Sequence, residues 1–176
     1  MSTPRQIVVI GMMGAGKSTV GRELAQQLHY RYWDNDEALS HATGGQTAAE
    51  VQREKGQEML HLLERQLLAN ALETPAPTVF AAPASVVLYP GVVRGATKVW
   101  LRVSPATEVA QLAHSGQHHR PLPGDPTALL RQLGAVRASL YARLADITID
   151  VTGRPKQTSD QVIAALAALQ NPARES

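Results

Sequence analysis

Gln6-Ile7-Val8-Val9-Ile10 runs without a break into Gly11-Met12-Met13-Gly14-Ala15-Gly16-Lys17-Ser18, and this stretch decides the fold. Its first part is a short β-branched run, apolar at every position after Gln6, as in a strand buried on both faces. Its second part fits G-x-x-x-x-G-K-[ST] at every fixed position. The pattern has a physical basis. Glycines let backbone N–H groups turn inward and approach phosphate oxygens, and the helix that follows points its N-terminal dipole at the same anion. Lys17 is placed to reach the β- and γ-phosphates and the Ser18 hydroxyl to ligate Mg²⁺. Residues 19–28 continue with Val20, Leu24 and Leu28 at helical spacing, so a strand precedes the loop and a helix follows it. Gly11, Gly14, Ala15, Gly16, Lys17, Ser18 and Thr19 are thus the expected nucleotide contacts, with Mg²⁺ beside the phosphates.

Outward from this loop, strands alternate with helices. Further strands are expected at Arg31-Tyr32-Trp33, Thr78-Val79-Phe80-Ala81-Ala82, Lys98-Val99-Trp100-Leu101-Arg102-Val103 and Ile147-Thr148-Ile149-Asp150-Val151. Thr47-Ala48-Ala49-Glu50 has the form of a capping box and should open a helix. Residues 57–72 read as a longer helix, broken by Glu73-Thr74-Pro75-Ala76-Pro77. Ser104 caps another helix with Pro105 in its first position. The last helix is expected to start at Thr158-Ser159-Asp160-Gln161 and to reach about Leu169. Residues 114–126 hold histidine, glycine and proline without periodicity and read as a mobile lid-like loop. The expected fold class is α/β, a single domain over residues 1–176 with a parallel sheet covered on both faces.

Composition narrows the function. The chain has 176 residues, 44% of them apolar and 4% aromatic, so its core is aliphatic. It has no cysteine, which removes disulfide frameworks, thiolate zinc sites and cysteine nucleophiles together. Formal net charge is +2 and no basic block appears, which disfavours nucleic-acid binding. No apolar run reaches membrane-spanning length. A cytoplasmic monomer acting on a small molecule is the expectation. His114, His118 and His119 find no further ligand at helical spacing, so a lid is a better reading of them than a metal site.

A phosphate-binding loop does not by itself separate kinase, GTPase and ATPase. The chain is too short for the insertions of a motor, and no N-K-x-D guanine signature appears. Asp34-Asn35-Asp36 ends the second strand, where the carboxyl ends of a parallel sheet face the ligand crevice. Two carboxylates there can serve a magnesium ion and a substrate hydroxyl; a strand-ending turn with a helix N-cap is the alternative.

With these motifs together, the chain resembles the shikimate kinase family from about residue 7 to residue 169. The resemblance implies a three-layer P-loop NTPase fold with a five-stranded parallel sheet of nucleoside-monophosphate-kinase type, with ATP and Mg²⁺ as co-substrate and cofactor. It implies acceptor-binding helices over about 36–72 and a lid over about 114–126. Asp36 resembles the aspartate that contacts the accepting hydroxyl, and Asp34 the aspartate on the magnesium side. His119-Arg120-Pro121-Leu122 resembles a lid motif that sets Arg120 over the phosphates. Arg137, followed by Leu140-Tyr141 and Ala145-Asp146, resembles the arginine that grips the substrate carboxylate. Arg154-Pro155 resembles the loop against adenine. Lys17, Asp36 and Arg120 are thereby implied as catalytic residues.

The main departures fall on the acceptor side. Gly56-Gln57-Glu58-Met59-Leu60-His61-Leu62-Leu63-Glu64 stands where the family has G-E-x-x-F-R-x-x-E, so the substrate-binding arginine is His61. Ala81-Ala82-Pro83-Ala84-Ser85 replaces a triple glycine; proline removes an N–H donor, and each added Cβ narrows the pocket. Ala113 stands where an adenine-stacking arginine is frequent. Three functions stay open on this reading: a shikimate kinase-like enzyme, a kinase of another small sugar acid or polyol, and a non-catalytic nucleotide-binding relative. Arg53 or Arg65 could restore the missing grip.

Overall fold

The computed structural model describes residues 3–114 and 125–170. In chain order, β1 is Gln6–Ile10, α1 Lys17–Leu28, β2 Arg31–Asp34, α2 Asn35–Ala42, α3 Ala48–Lys55, α4 Gln57–Leu72 and β3 Thr78–Ala81. Two short 3₁₀ turns, Ala84–Leu88 and Pro90–Val93, lead to β4 Thr97–Arg102. Then come α5 Pro105–His114, α6 Pro126–Leu144, β5 Ile147–Asp150 and α7 Pro155–Leu169. The five strands lie in the order β2-β3-β1-β4-β5, and every pairing is parallel. This is the expected three-layer α/β P-loop architecture.

The alternation of strand side chains sets the two outer layers. Val8 and Ile10 of β1 join Phe80 and Trp100 on one face, under Leu68 of α4 and Tyr141 of α6. Ile7 and Val9 join Val79, Val99 and Leu101 on the other face, under Leu24 of α1 and Leu166 of α7. All of β1 except Gln6 is buried, as its apolar run requires. Trp33 packs beside Phe80, with ring centroids 5.9 Å apart, as part of the core. A third apolar cluster, Leu39, Val51 and Leu60, stands apart from both and ties α2, α3 and α4 to one another.

Caps place most helix starts. Thr47 and Glu50 form the expected capping box: the Glu50 N–H donates to Thr47 Oγ1 at 3.3 Å, and the Thr47 N–H to Glu50 Oε2 at 2.8 Å. The Thr107 N–H donates to Ser104 Oγ at 3.2 Å, with Pro105 first in α5. Strand ends fall within one residue of expectation, and two helix starts differ from it. Helix α1 starts at Lys17 rather than Thr19, because left-handed Gly16 already turns the chain into the helix. Helix α7 starts at Pro155 rather than Thr158. Proline there needs no N–H partner, and the Arg154 N–H is taken by Gln157 Oε1 at 3.0 Å. The 3₁₀ turns over 84–93 were not expected, whereas α2 falls at the start of the acceptor-binding helices expected from about residue 36. Among the described residues, no helix is long and apolar enough to cross a membrane.

Candidate active site

Parallel strands deliver the ends of β1, β2 and β3 to one edge of the sheet. The register pairs Val9 and Asp34 with the same residue, Ala81, so all three strands finish side by side. After Ile10 the chain must leave the sheet and turn back as α1. Gly11 takes φ +152°, and a Cβ there would sit 2.8 Å from the Leu101 carbonyl oxygen. Gly14 and Gly16 take φ +75° and +84°, in the left-handed region.

A cavity of about 500 Å³ opens over this edge, lined by Gly14–Thr19 of the loop. It also gathers Asp34, Asp36, His61 and Arg137, which the sequence spreads over more than half of the chain. Gly11 lies beneath the loop and does not line the cavity. Arg154 is exposed at the start of α7, while its neighbours Gly153 and Pro155 form the rim. Arg120 and residues 115–124 of the expected lid lie outside the described residues, as does the side chain of Ala113.

Lys17 curls back over the loop, donating from Nζ to the Gly11 and Met12 carbonyls at 3.0 and 2.8 Å. Burial lowers its pKa, and the nearby carboxylates of Asp36, Asp34, Glu108 and Glu64 oppose that shift. Asp34 is buried and caps α2, with Oδ1 accepting the Asp36 N–H at 2.9 Å. Its Oδ2 accepts from the Tyr32 hydroxyl at 2.5 Å, and the same hydroxyl lies 3.2 Å from the Ser18 carbonyl oxygen. Burial and the bond to Asp34 push the Tyr32 hydroxyl well above the usual phenol range. Tyr32 therefore stays a neutral donor and braces the loop against the carboxylate. The N-cap reading of Asp34 holds, since Oδ1 caps the helix, and the residue also lines the cavity.

The acceptor end carries a second network. Ser85 Oγ donates to Glu64 Oε2 at 2.6 Å and lies 2.8 Å from the Tyr89 hydroxyl. With its proton on Glu64, Ser85 accepts from Tyr89. Glu64 and Ser85 are both buried, and both line the cavity. The Tyr141 hydroxyl donates to the Ala84 carbonyl at 2.8 Å and lies beside the Arg137 guanidinium, so β3's extension and α6 are fastened together. Ala81 through Ser85 all line the cavity. The Ala82 N–H is already bonded to Val9 O at 3.1 Å, and Pro83 has no N–H, so this wall offers few backbone donors.

Sequence reasoning assigned no role to Tyr32, Ser85 or Glu108. A signal existed for Tyr32: it stands two residues before Asp34 on a strand, so both side chains share a face. Glu108 of α5 is buried, and burial lifts its carboxyl to about 7 against the pull of Lys17. No spacing pattern announces it.

Comparison with known proteins agrees with this geometry. The family model described as shikimate kinase matches residues 13–167. A shikimate kinase of Rhodococcus jostii (strain RHA1) is 31% identical over 91% of this chain and 96% of its own length. One from Gloeobacter violaceus is 35% identical over 92% of each chain. Among solved structures, the shikimate kinase of Acinetobacter baumannii in complex with shikimate superimposes with a TM-score of 0.86 at 24% identity, covering 95% of this chain and 94% of that one.

Proposed function

The chain belongs to the shikimate kinase family, and on that premise we propose that it passes the γ-phosphoryl group of ATP to a hydroxyl of shikimate or a closely related small carboxylated polyol. The observation that carries this is one cavity holding the phosphate-binding loop, the Asp34/Asp36 pair, His61 and Arg137 together. The whole chain acts as one kinase domain, with residues of about 36–72 on the acceptor side.

The chemistry follows from placement. Phosphoryl transfer needs positioning and charge stabilisation more than covalent help. Lys17 leaves the Gly11 and Met12 carbonyls and meets the β- and γ-phosphates. Asp36, exposed to the cavity, orients the acceptor hydroxyl and takes its proton as the oxygen–phosphorus bond forms and ADP departs. Arg137 holds the acceptor carboxylate, and His61 lines the same cavity. Arg120 covers the phosphates, and Arg154 borders the nucleobase. Ser18 and Asp34 are hard oxygen donors that suit Mg²⁺, an ion commonly held by one or two protein oxygens together with substrate phosphates. The metal, when bound, neutralises charge on the phosphates. Each of these groups comes from one chain, so a monomer suffices, working in the cytoplasm on small molecules without nucleic acid or membrane.

A second acceptor reading has specific support. His61 cannot reproduce the two-pronged grip of an arginine on a carboxylate, and Pro83 removes a backbone donor. Losing a charge-assisted hydrogen bond costs about 1.5–3 kcal/mol, roughly 10- to 150-fold in affinity. On this reading, shikimate is a poor acceptor and another sugar acid is a better one. The test is acceptor-dependent ADP release at saturating ATP over shikimate, quinate and gluconate, for wild type and His61→Arg. Turnover with shikimate establishes the primary reading. If His61→Arg leaves the shikimate KM unchanged, His61 is not the missing grip. Absence of turnover with every acceptor would defeat both readings.

A further inference from the structure

Asn35 is a cavity residue that the mechanism leaves without a task. It follows Asp34 directly and begins α2. It is 2% exposed and lines the cavity beside both aspartates. Neither its Nδ2 nor its Oδ1 has a hydrogen-bond partner among the described residues, and both atoms are sealed from solvent. Such an amide destabilises the protein, because it is stripped of water and given nothing in return. Local structure does not account for it. Asp34 already caps the helix, accepting the Asp36 N–H. A leucine of similar shape would pack without the penalty.

The surroundings indicate what the amide is for. The pairing of Asp34 with Ala81 sends Asn35 and Ala82-Pro83 off adjacent strand ends at the same edge of the sheet. There the Ala82 N–H is committed to Val9 and Pro83 has none to offer. The Asn35 amide is an uncommitted donor at this edge, and it is an uncommitted acceptor as well. A hydroxyl is the group that both gives and takes a hydrogen bond. Asp36, one residue on, serves the hydroxyl that becomes phosphorylated.

We propose that Asn35 is an acceptor-binding residue whose buried amide pairs with a second hydroxyl adjacent to the one phosphorylated, so that the enzyme selects vicinal diols. This assignment rests on the small-molecule kinase reading above. The amide stays unpaired in the free protein and is satisfied only in the complex, after a small rotation or shift of the α2 start. Stability is sacrificed for recognition at this position.

The experiment uses Asn35→Leu, with Asn35→Ala as a second variant in case leucine does not fit. Each is compared with wild type for KM of shikimate and KM of ATP, for turnover of shikimate analogues each lacking one ring hydroxyl, and for thermal melting without ligand. Expected is a shikimate KM about tenfold higher in both variants, the size of one to two neutral hydrogen bonds, with the ATP KM within about twofold. The variants should also lose the wild type's discrimination against one deoxy analogue. Asn35→Leu should melt about 2–4 °C higher than wild type. The assignment fails if either variant keeps the wild-type shikimate KM. It fails also if both KM values rise together while both variants melt lower, since that describes a structural residue. A wild type inert towards shikimate and all its analogues would overturn the kinase reading and this assignment together. An active wild type with indifferent variants overturns the assignment alone.

Discussion

Replacing Glu108 by glutamine should make the protein more stable, and only at neutral and alkaline pH. Glu108 is 4% exposed on α5, and burial raises its carboxyl from 4.5 to about 7 even though the Lys17 ammonium pulls the other way. The folded chain thus binds this proton more tightly than the unfolded chain does. Below pH 4.5 the group is protonated in both states and costs nothing. Between about pH 4.5 and 7 the unfolded chain ionises first, and folding stability falls as pH rises. Above the folded value the whole cost is present. The shift of about 2.5 units, at about 1.4 kcal/mol each, amounts to ~3 kcal/mol. Glutamine keeps the shape and stays neutral at every pH. The assay is urea unfolding of both proteins at pH 5 and pH 8.5, followed by the fluorescence of Trp33 and Trp100. Glu108→Gln should exceed wild type by about 3 kcal/mol at pH 8.5 and by less than about 1 kcal/mol at pH 5. Taking the difference between the two proteins cancels the titrating groups that do not interact with Glu108; Lys17, which does, loses part of its electrostatic support in the variant. Parallel stabilities at the two pH values, or a variant weaker at pH 8.5, would refute the reasoning, because the carboxylate would then have a partner that stabilises its charge.

Two further outcomes concern the two ends of the cavity. Lys17→Ala removes the ammonium held by Gly11 and Met12 and should abolish acceptor-dependent ADP release; unchanged turnover and unchanged ATP affinity would contradict the phosphate role. Ser85→Ala removes the 2.6 Å charge-assisted bond to Glu64 and should lower stability by about 1.5–3 kcal/mol, or about 3–12 °C in melting temperature. Tyr89→Phe should cost about 1 kcal/mol or less, being one neutral bond removed from the carboxylate; equal losses from the two variants would argue against that order of donation.

What could be read from the chain without its structure depended on the range of the interaction. The loop from Gly11 to Ser18 was legible because its function is a property of consecutive backbone groups. The sheet was legible because a strand covered on both faces is apolar in succession, as β1 is. The capping pairs Thr47–Glu50 and Ser104–Thr107 span three residues and announce themselves. Helix α7 shows how such signals compete: Pro155 is itself a start signal, yet the polar run at Thr158 resembled one more closely. The bond of Ser85 to Glu64, the burial of Glu108 and the stranded amide of Asn35 join residues that only the folded sheet brings near one another. Strand periodicity could have linked Tyr32 to Asp34. The contact of Tyr32 with the Ser18 carbonyl could not be foreseen, because it depends on β2 lying where α1 begins.

The separate apolar cluster of Leu39, Val51 and Leu60 has a consequence for descent. His61 stands next to Leu60 on a helix that this cluster helps to hold, whereas the phosphate-binding loop is anchored by residues packed on the sheet. Substitutions in distant, separately packed groups tend to act additively. A change beside this cluster, as at His61, is therefore felt by its own small core and not by the apolar seat of the loop. A lineage built this way can drift in what it phosphorylates while the means of phosphorylation is inherited intact, and the departure at His61, next to this small core, is the record such drift would leave.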